Sequence, residues 1–535
     1  MAPLDPDVTA RTNTIPLATF SGQVLLVACL ATNILLTIRR AARALPPPSS
    51  TRAQEPVRRR NVAVFSVLAL LSLASVTTFA VAWRVLSYFD WAEKGNHETP
   101  GSLWTGWYGT GDEGVSRWRL GDWVRDIDLA READGLAVNS PEGFLYTSQQ
   151  FVGLVAASIF MGVEGRKRTL PALAIASFVA LSTIGSLGFA LNLFFIAMLF
   201  TPVALHSDGP LARDTLFTPK SAVYGVPIVA SFLLLHSLPW FLARGSDITL
   251  MRFGYFAIPP FLAFAPQIIP TSWGHEHTTK ASAHRSYRIT FYILGVTSLL
   301  LHWKLGVTSL SNDTPSEQAS AYDLLTNAVG KQDNSNRFVT ALSNTVQKLK
   351  FVSRHPAISV TASDVLLTSI SLCIWAFLRN LDVDDVLENS FLSFLASSKA
   401  EKHVAFEDKV EKVEDKAPPA GSPVKRGRGR PRKNGALTNS TRTASASSAS
   451  SLRRSTRRKT RVDFESDMED SYEPSEQAAT EVKQIESDGS MTSEGVVQGG
   501  ESAALALFLA LIGGLGQLGA GVLGAEVTGT ASSGV

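Results

Sequence analysis

Histidines, cysteines and a few grouped carboxylates are the residues of this 535-residue chain that could do bond-making chemistry. Their spacing limits what that chemistry can be. The densest group is "WGHEHTTKASAHR" (273–285), with His275, Glu276, His277 and His284. An HxH pair followed by a distant histidine resembles a metal cluster but matches no established ligand spacing, so no metal is assigned. His236 and His302 each fall toward one end of an apolar run. Facing one another across two helices they could hold a haem, whereas a single histidine near a helix end is more often a hydrogen-bonded polar group. Asp122, Asp126 and Asp128 follow a tryptophan-rich stretch and are candidate acids or cation ligands. Cys29 and Cys373 lie inside apolar runs without a CxxC partner, against a disulfide framework or a cysteine zinc site. The chain has no Walker A loop, no GxGxxG after a strand, no GxSxG elbow and no HExxH. No catalytic residue and no cofactor is assigned.

The elements that must position these residues are long apolar blocks. Charged residues make up 18% of the chain, below the usual quarter or so for soluble domains. A hydrocarbon core about 30 Å thick needs roughly 20 apolar residues in a helix. Candidate spans run over 20–38, 62–83, 149–163, 170–200, 222–242, 253–270, 289–303 and 365–378, with a further apolar stretch at 503–525. The spans beginning at 149, 289 and 365 are short. The expected fold is an all-α, polytopic transmembrane bundle of about seven to nine spans with a disordered charged tail. The first span has no basic n-region and no small-residue cleavage site, as in an uncleaved signal anchor. No Asp or Glu falls in the middle of any of these spans, which counts against a proton-coupled pump or transporter.

Short-loop Lys and Arg set the expected orientation. "RRAARALPPPSSTRAQEPVRRR" (39–60) holds seven arginines against Glu55 alone and should be cytosolic, as should the "EGRKR" turn at 164–168. Residues 84–146 then face the lumen. There Trp104, Trp107, Trp118 and Trp123 read as an interfacial aromatic belt or, with the three aspartates, as a lid over a lipid or glycan site.

From Asp382 the composition changes. Residues 417–461 contain thirteen Lys and Arg and no acid; residues 462–501 contain twelve acids and Lys483 as the lone base. Charge-blocked, low-complexity segments of this kind cannot bury enough apolar surface to fold. Within the basic block, "KRGRGRPRKNG" (425–435) could lay Arg428 and Arg430 along a narrow groove floor, because Gly429 offers no obstructing side chain and Pro431 favours an extended exit. This stretch resembles the AT-hook of the high-mobility-group A chromatin proteins. The resemblance implies contact with the A·T-rich minor groove through Arg428, Gly429, Arg430 and Pro431, with Lys425, Arg426, Arg432 and Lys433 on phosphates. One hook alone would bind weakly and with a strong salt dependence; a targeting signal or an anionic-lipid patch is the alternative. Residues 60–305 also resemble uncharacterised multi-pass proteins of filamentous fungi, some of which accompany terpenoid pathways; that resemblance carries no activity.

The expected organisation is a signal-anchor span and basic loop (1–61), a multi-pass core (62–305), a polar connector and weak span (306–381), a disordered tail (382–501) and a glycine-rich membrane segment (502–535). A hook that touches DNA must lie on the side of loop 39–60, yet the spans between them are odd in number. Either 365–378 lies in the interface or 170–200, broken by "IGSLG", holds two short passes; the first repair is preferred because halves of about fifteen residues are short for full spans. The first functional reading is a protein of the endoplasmic reticulum or nuclear envelope whose tail binds A·T-rich DNA or directs it to the nuclear rim. The alternatives are a membrane enzyme of lipid or isoprenoid metabolism and a transporter or receptor.

Overall fold

Backbone amides in hydrocarbon have no water to bond, so apolar runs of membrane length close their hydrogen bonds internally as helices. The computed structural model describes residues 13–44, 55–97, 118–201, 217–277, 280–312, 335–396 and 493–529. The helices are α1 (Thr14–Ala44), α2 (Glu55–Lys94), α3 (Leu120–Asp126), α4 (Leu129–Val138), α5 (Pro141–Lys167), α6 (Ala172–Ile184), α7 (Leu187–Phe200), α8 (Ser221–Ala243), α9 (Thr249–Ile268), α10 (Lys280–Arg285), α11 (Arg288–Asn312), α12 (Ser335–Val352), α13 (Pro356–Arg379), α14 (Val383–Glu388) and α15 (Ser493–Thr528). Strands β1 (Phe217–Pro219) and β2 (Gly274–Glu276) pair antiparallel, with Phe217 opposite Glu276. Among the described residues seven helices, α1, α2, α5, α8, α11, α13 and α15, are long and apolar enough to cross a membrane. The chain is a multi-pass helical membrane protein.

Named contacts sort the helix ends into two sets. At one end Asn13, before α1, donates to the Trp118 carbonyl at 2.6 Å, and Ser87 of α2 donates to Glu132 of α4 at 2.6 Å. Arg252 of α9 pairs with Asp128 at 3.0 Å, and Ser309 of α11 donates to Glu142 in the first turn of α5. At the other end Arg166 of α5 donates to the Ala263 carbonyl of α9, Arg288 of α11 pairs with Glu388 at 3.2 Å, and Arg379 of α13 pairs with Glu526 of α15 at 2.9 Å. Helices α5, α9 and α11 therefore run between an aromatic end and an arginine end, with α1 and α2 reaching the first and α13 the second.

Two segments do not run through. Helices α6 and α7 have 13 and 14 residues, about 20 Å each, too short for a 30 Å core. Arg168, just before α6, donates to the carbonyls of Met198 and Thr201 at the end of α7, at 3.2 and 2.5 Å. Both open ends of this pair thus lie at the arginine end, and Gly185–Ser186 form a tip inside the bundle. Helix α15 behaves alike. Ser502 donates to the Ala376 carbonyl at 3.1 Å, and Glu526 meets Arg379 near the end of the same helix, so its two ends lie together. Between them Gly514 has φ +70°, a left-handed conformation that breaks the helix, and a Cβ at that residue would collide with the side-chain amide of Gln149.

These observations correct the expected spans. The run 170–200 is a re-entrant hairpin, so the repair set aside from the sequence has the right parity. The run 365–378, expected in the interface, is part of a 24-residue through-helix, 356–379, long and apolar enough to cross. The short runs at 149 and 289 lengthen because Glu142, Glu164 and Lys304, which end an apolar count, are accommodated within α5 and α11. Residues 382–396, assigned by composition to the tail, include α14, whose Val386 is fully buried beside Leu509 and Ala525 of α15. The Gly516–Ala520–Gly524 row packs closely, with Gly516 against Val152 and Ser298 and Gly524 against Asn389.

Candidate functional site

The carboxylates singled out in the sequence are engaged in building the aromatic end. Trp118 and Trp123 are buried, with Trp118 4.8 Å from Tyr88, rather than spread in an interfacial belt. Asp122 pairs with Arg119 at 2.9 Å, and Asp126 accepts from the Trp91 indole at 3.2 Å. Asp128 caps α4, accepting from the amides of Ala130 and Arg131 at 3.1 Å each. Burial pulls the Asp128 carboxyl upward, but the hydrogen bond from Arg252, the two amides and the Arg252 charge hold it below its ordinary value. Asp134 stands above its ordinary value because burial outweighs Arg252. Trp104 and Trp107 lie outside the described residues.

The histidines do not converge. His236 is exposed and hydrogen-bonds Lys304 at 2.8 Å. His275 and Glu276 are exposed on β2, while His284 is buried beside Tyr287. Among the described residues no three His, Cys, Asp or Glu side chains are close enough to hold a metal. The cleft lined by Arg166, Lys167, Thr218, His284 and Tyr287 has room for about one water molecule. The hook residues Lys425, Arg426, Arg428, Gly429, Arg430, Pro431, Arg432 and Lys433 lie outside the described residues.

The polar group that does converge is one the sequence reading passed over. Asp364 of α13, taken as flanking a weak span, is fully buried at the tip of the α6–α7 hairpin. One of its oxygens accepts from the Ser186 hydroxyl at 2.7 Å and the Gly188 amide at 2.9 Å. The other accepts from the Leu187 amide at 2.9 Å and the Gln150 amide at 3.0 Å. Ser186 also caps α7 by accepting from the Phe189 amide at 3.1 Å. Amides in the first turn of a helix have no intrahelical acceptor, and the helix dipole favours an anion there. The carboxylate thus satisfies a helix end that would otherwise sit bare at membrane depth.

The second hairpin arrives at the neighbouring residue of α5. The Gln149 side-chain oxygen accepts from the Gly516 amide at 3.3 Å, and Ser298 of α11 donates to the Gly513 carbonyl at 3.1 Å. Of two adjacent residues of α5, Gln149 therefore binds the tip of the second hairpin directly, and Gln150 binds Asp364, which holds the tip of the first. Asn192, one turn into α7, donates to the Gly188 carbonyl at 2.7 Å and to Ser371 of α13 at 2.9 Å. The expectation that no carboxylate lies at depth is overturned by Asp364.

The signals for this site were present but ambiguous. "IGSLG" marked the first tip, and "GGLGQLG" (513–519) held the second. Asp364 could not be told from an end-flanking charge until α13 was seen to begin eight residues earlier. Comparison with protein-family models, curated proteins and solved structures finds no match for this chain.

Proposed function

We propose that this protein is a membrane transport protein, moving a small polar solute or ion along a seam between the two re-entrant hairpins. The observation that carries the reading is that both hairpin tips end beside adjacent residues of α5, the second on Gln149 and the first on Asp364, which Gln150 also binds at the end of a half-helix. Polar groups at membrane depth are costly, and irregular backbone there is tolerated where it is buried in protein or lines a solute path. Broken helices whose ends face a polar site are the usual way membrane carriers build a binding position. An enzyme reading gains no support, because the aspartates of the aromatic end are spent on caps and ion pairs. The test is flux in proteoliposomes holding the purified full chain, measured with monovalent cations, halides, protons and small neutral solutes. Protein-dependent flux of one class, reduced about tenfold or more by Gly188→Ala at the crowded tip, is the expected result. No flux of any class from correctly folded protein overturns the reading.

A second reading concerns the basic tail, and one observation favours it. Glu388 of α14 pairs with Arg288 at the arginine end, and Gly499 lies against Phe377 and Asn380 beside Arg379. The described residues that flank the tail, at 396 and 499, accordingly lie at the arginine end, the end expected to face the cytosol. A tail on that side would share a compartment with DNA and with anionic lipid. A peptide spanning 417–461 should prefer A·T-rich over G·C-rich duplex at fixed salt, and Arg430→Ala should reduce that preference more than Arg457→Ala does. Equal affinity for both duplexes would leave a basic patch.

A further inference from the structure

Asp364 has four hydrogen-bond partners and no positive one. Gln150, Ser186, Leu187 and Gly188 all present N–H or O–H groups to it, a set that suits the ionised carboxylate. No ion pair to Asp364 occurs among the described residues, so its carboxyl faces dipoles alone inside an apolar bundle. Buried charges are ordinarily paired with an opposite charge or bound to a cation.

Two further side chains point at the same place. Ser72 of α2 and Thr368 of α13 are 0% and 1% exposed, and their hydroxyls have no hydrogen-bond partner. A buried hydroxyl left unpaired carries its full desolvation penalty. The position that a Cβ would take on Gly188 lies 2.7 Å from Ser72 Oγ, 3.0 Å from Thr368 Oγ1 and 3.2 Å from Asp364 Oδ1. Three oxygens from two helices, α2 and α13, therefore converge beside Gly188 of α7.

We infer that Asp364, Ser72 and Thr368 form a binding site for a hard monovalent cation of the alkali-metal class. All three ligands are oxygens, which suit hard cations rather than transition metals. A single carboxylate among neutral hydroxyls balances one charge; a divalent ion would call for more carboxylates or retained waters. The inference deepens the transport reading by naming the ion class its mid-bundle site takes, and it rests on that reading only for its physiological purpose. The hydroxyls of Ser72 and Thr368 make no hydrogen bond to protein, so removing them breaks no hydrogen bond that holds the fold. If the cluster were only a hairpin lock, Ser72→Ala and Thr368→Val would be silent.

The experiment uses the purified full chain in nanodiscs, with direct binding of radiolabelled sodium and the thermal midpoint recorded in sodium, potassium, lithium and N-methylglucamine chloride at constant ionic strength. Saturable sodium binding is expected, with a midpoint higher in an alkali cation than in N-methylglucamine because a ligand of the folded state stabilises it. Ser72→Ala and Thr368→Val should fold normally and weaken apparent affinity by about tenfold or more, as for the loss of one charge-assisted contact. Asp364→Asn should abolish the response; should it fail to fold, the two hydroxyl variants decide the matter. No binding by the wild-type protein, or unchanged affinity in both hydroxyl variants, overturns the site. Binding without vesicle flux keeps the site and removes the transport reading, whereas flux indifferent to all three substitutions does the reverse.

Discussion

At the scale of single residues, Asp364 is the side chain on which most depends. Its carboxylate satisfies two amides of α7, the Ser186 hydroxyl and the Gln150 amide at once. Asp364→Ala would leave four donors facing hydrocarbon-like surroundings, and each unpaired buried donor costs about 1–3 kcal/mol. Partial relaxation of the tip offsets some of this, so a net loss of about 3–5 kcal/mol is expected. Chemical unfolding in detergent, followed by tryptophan fluorescence, would measure it; a loss under about 1 kcal/mol would mean that the tip rearranges without its cap. The sequence hid this role for a physical reason. An aspartate near an apolar run reads as its boundary, and only the partner 178 positions away, at Ser186, turns it into a cap.

Hairpins are the elements that the sequence half disclosed. Periodicity and length gave the apolar blocks at 170–200 and 503–525, and the glycine-containing breaks in both were visible. What composition could not supply was the direction of travel after the break, because a kinked crossing and a return have the same hydropathy. Direction is fixed by polar contacts at the hairpin mouths, between residues far apart in the chain. Arg168 holds Thr201 beside the start of α6, and Arg379 holds Glu526 beside Ala376. Glu526→Gln removes one partner from a buried network that also contains Arg168, at 3.8 Å. Breaking a buried pair from one side costs about 3–5 kcal/mol, and the cost falls on the outer arm of the second hairpin. Limited proteolysis should cut the variant after residue 515 faster than the wild type, with the first hairpin unchanged. Equal protection in both proteins would mean that packing at Gly516 and Gly524 suffices to hold the arm.

For the whole molecule, the class of fold was legible, the count of passes was not, and the site was missed. Seven arginines in 39–60 and the basic 164–168 turn predicted a shared side, and the geometry sets Arg168, Arg288 and Arg379 at one end. The parity problem was also visible in advance, since an odd number of spans conflicted with a tail beside loop 39–60. The repair preferred at α13 meets a helix long and apolar enough to cross, because Asp364 shortened the apparent span and an internal cap was indistinguishable from an interfacial charge. The hook remains a local pattern whose meaning depends on which compartment it occupies.

The second hairpin has a consequence for biosynthesis. Its slot is built from α5, α11 and α13, all complete by residue 379, whereas the hairpin itself begins after 492. The ribosome must therefore release the rest of the bundle with Gln149 and Ser298 still lacking their hairpin partners. Because the hairpin enters and leaves by one face, seating it moves no hydrophilic segment across the bilayer. Assembly can then finish after the intervening hundred or so residues have been made, without a translocation channel, at roughly 5–20 residues per second of synthesis. Changes in the length or charge of that intervening stretch would alter when the slot is filled and leave what fills it unchanged.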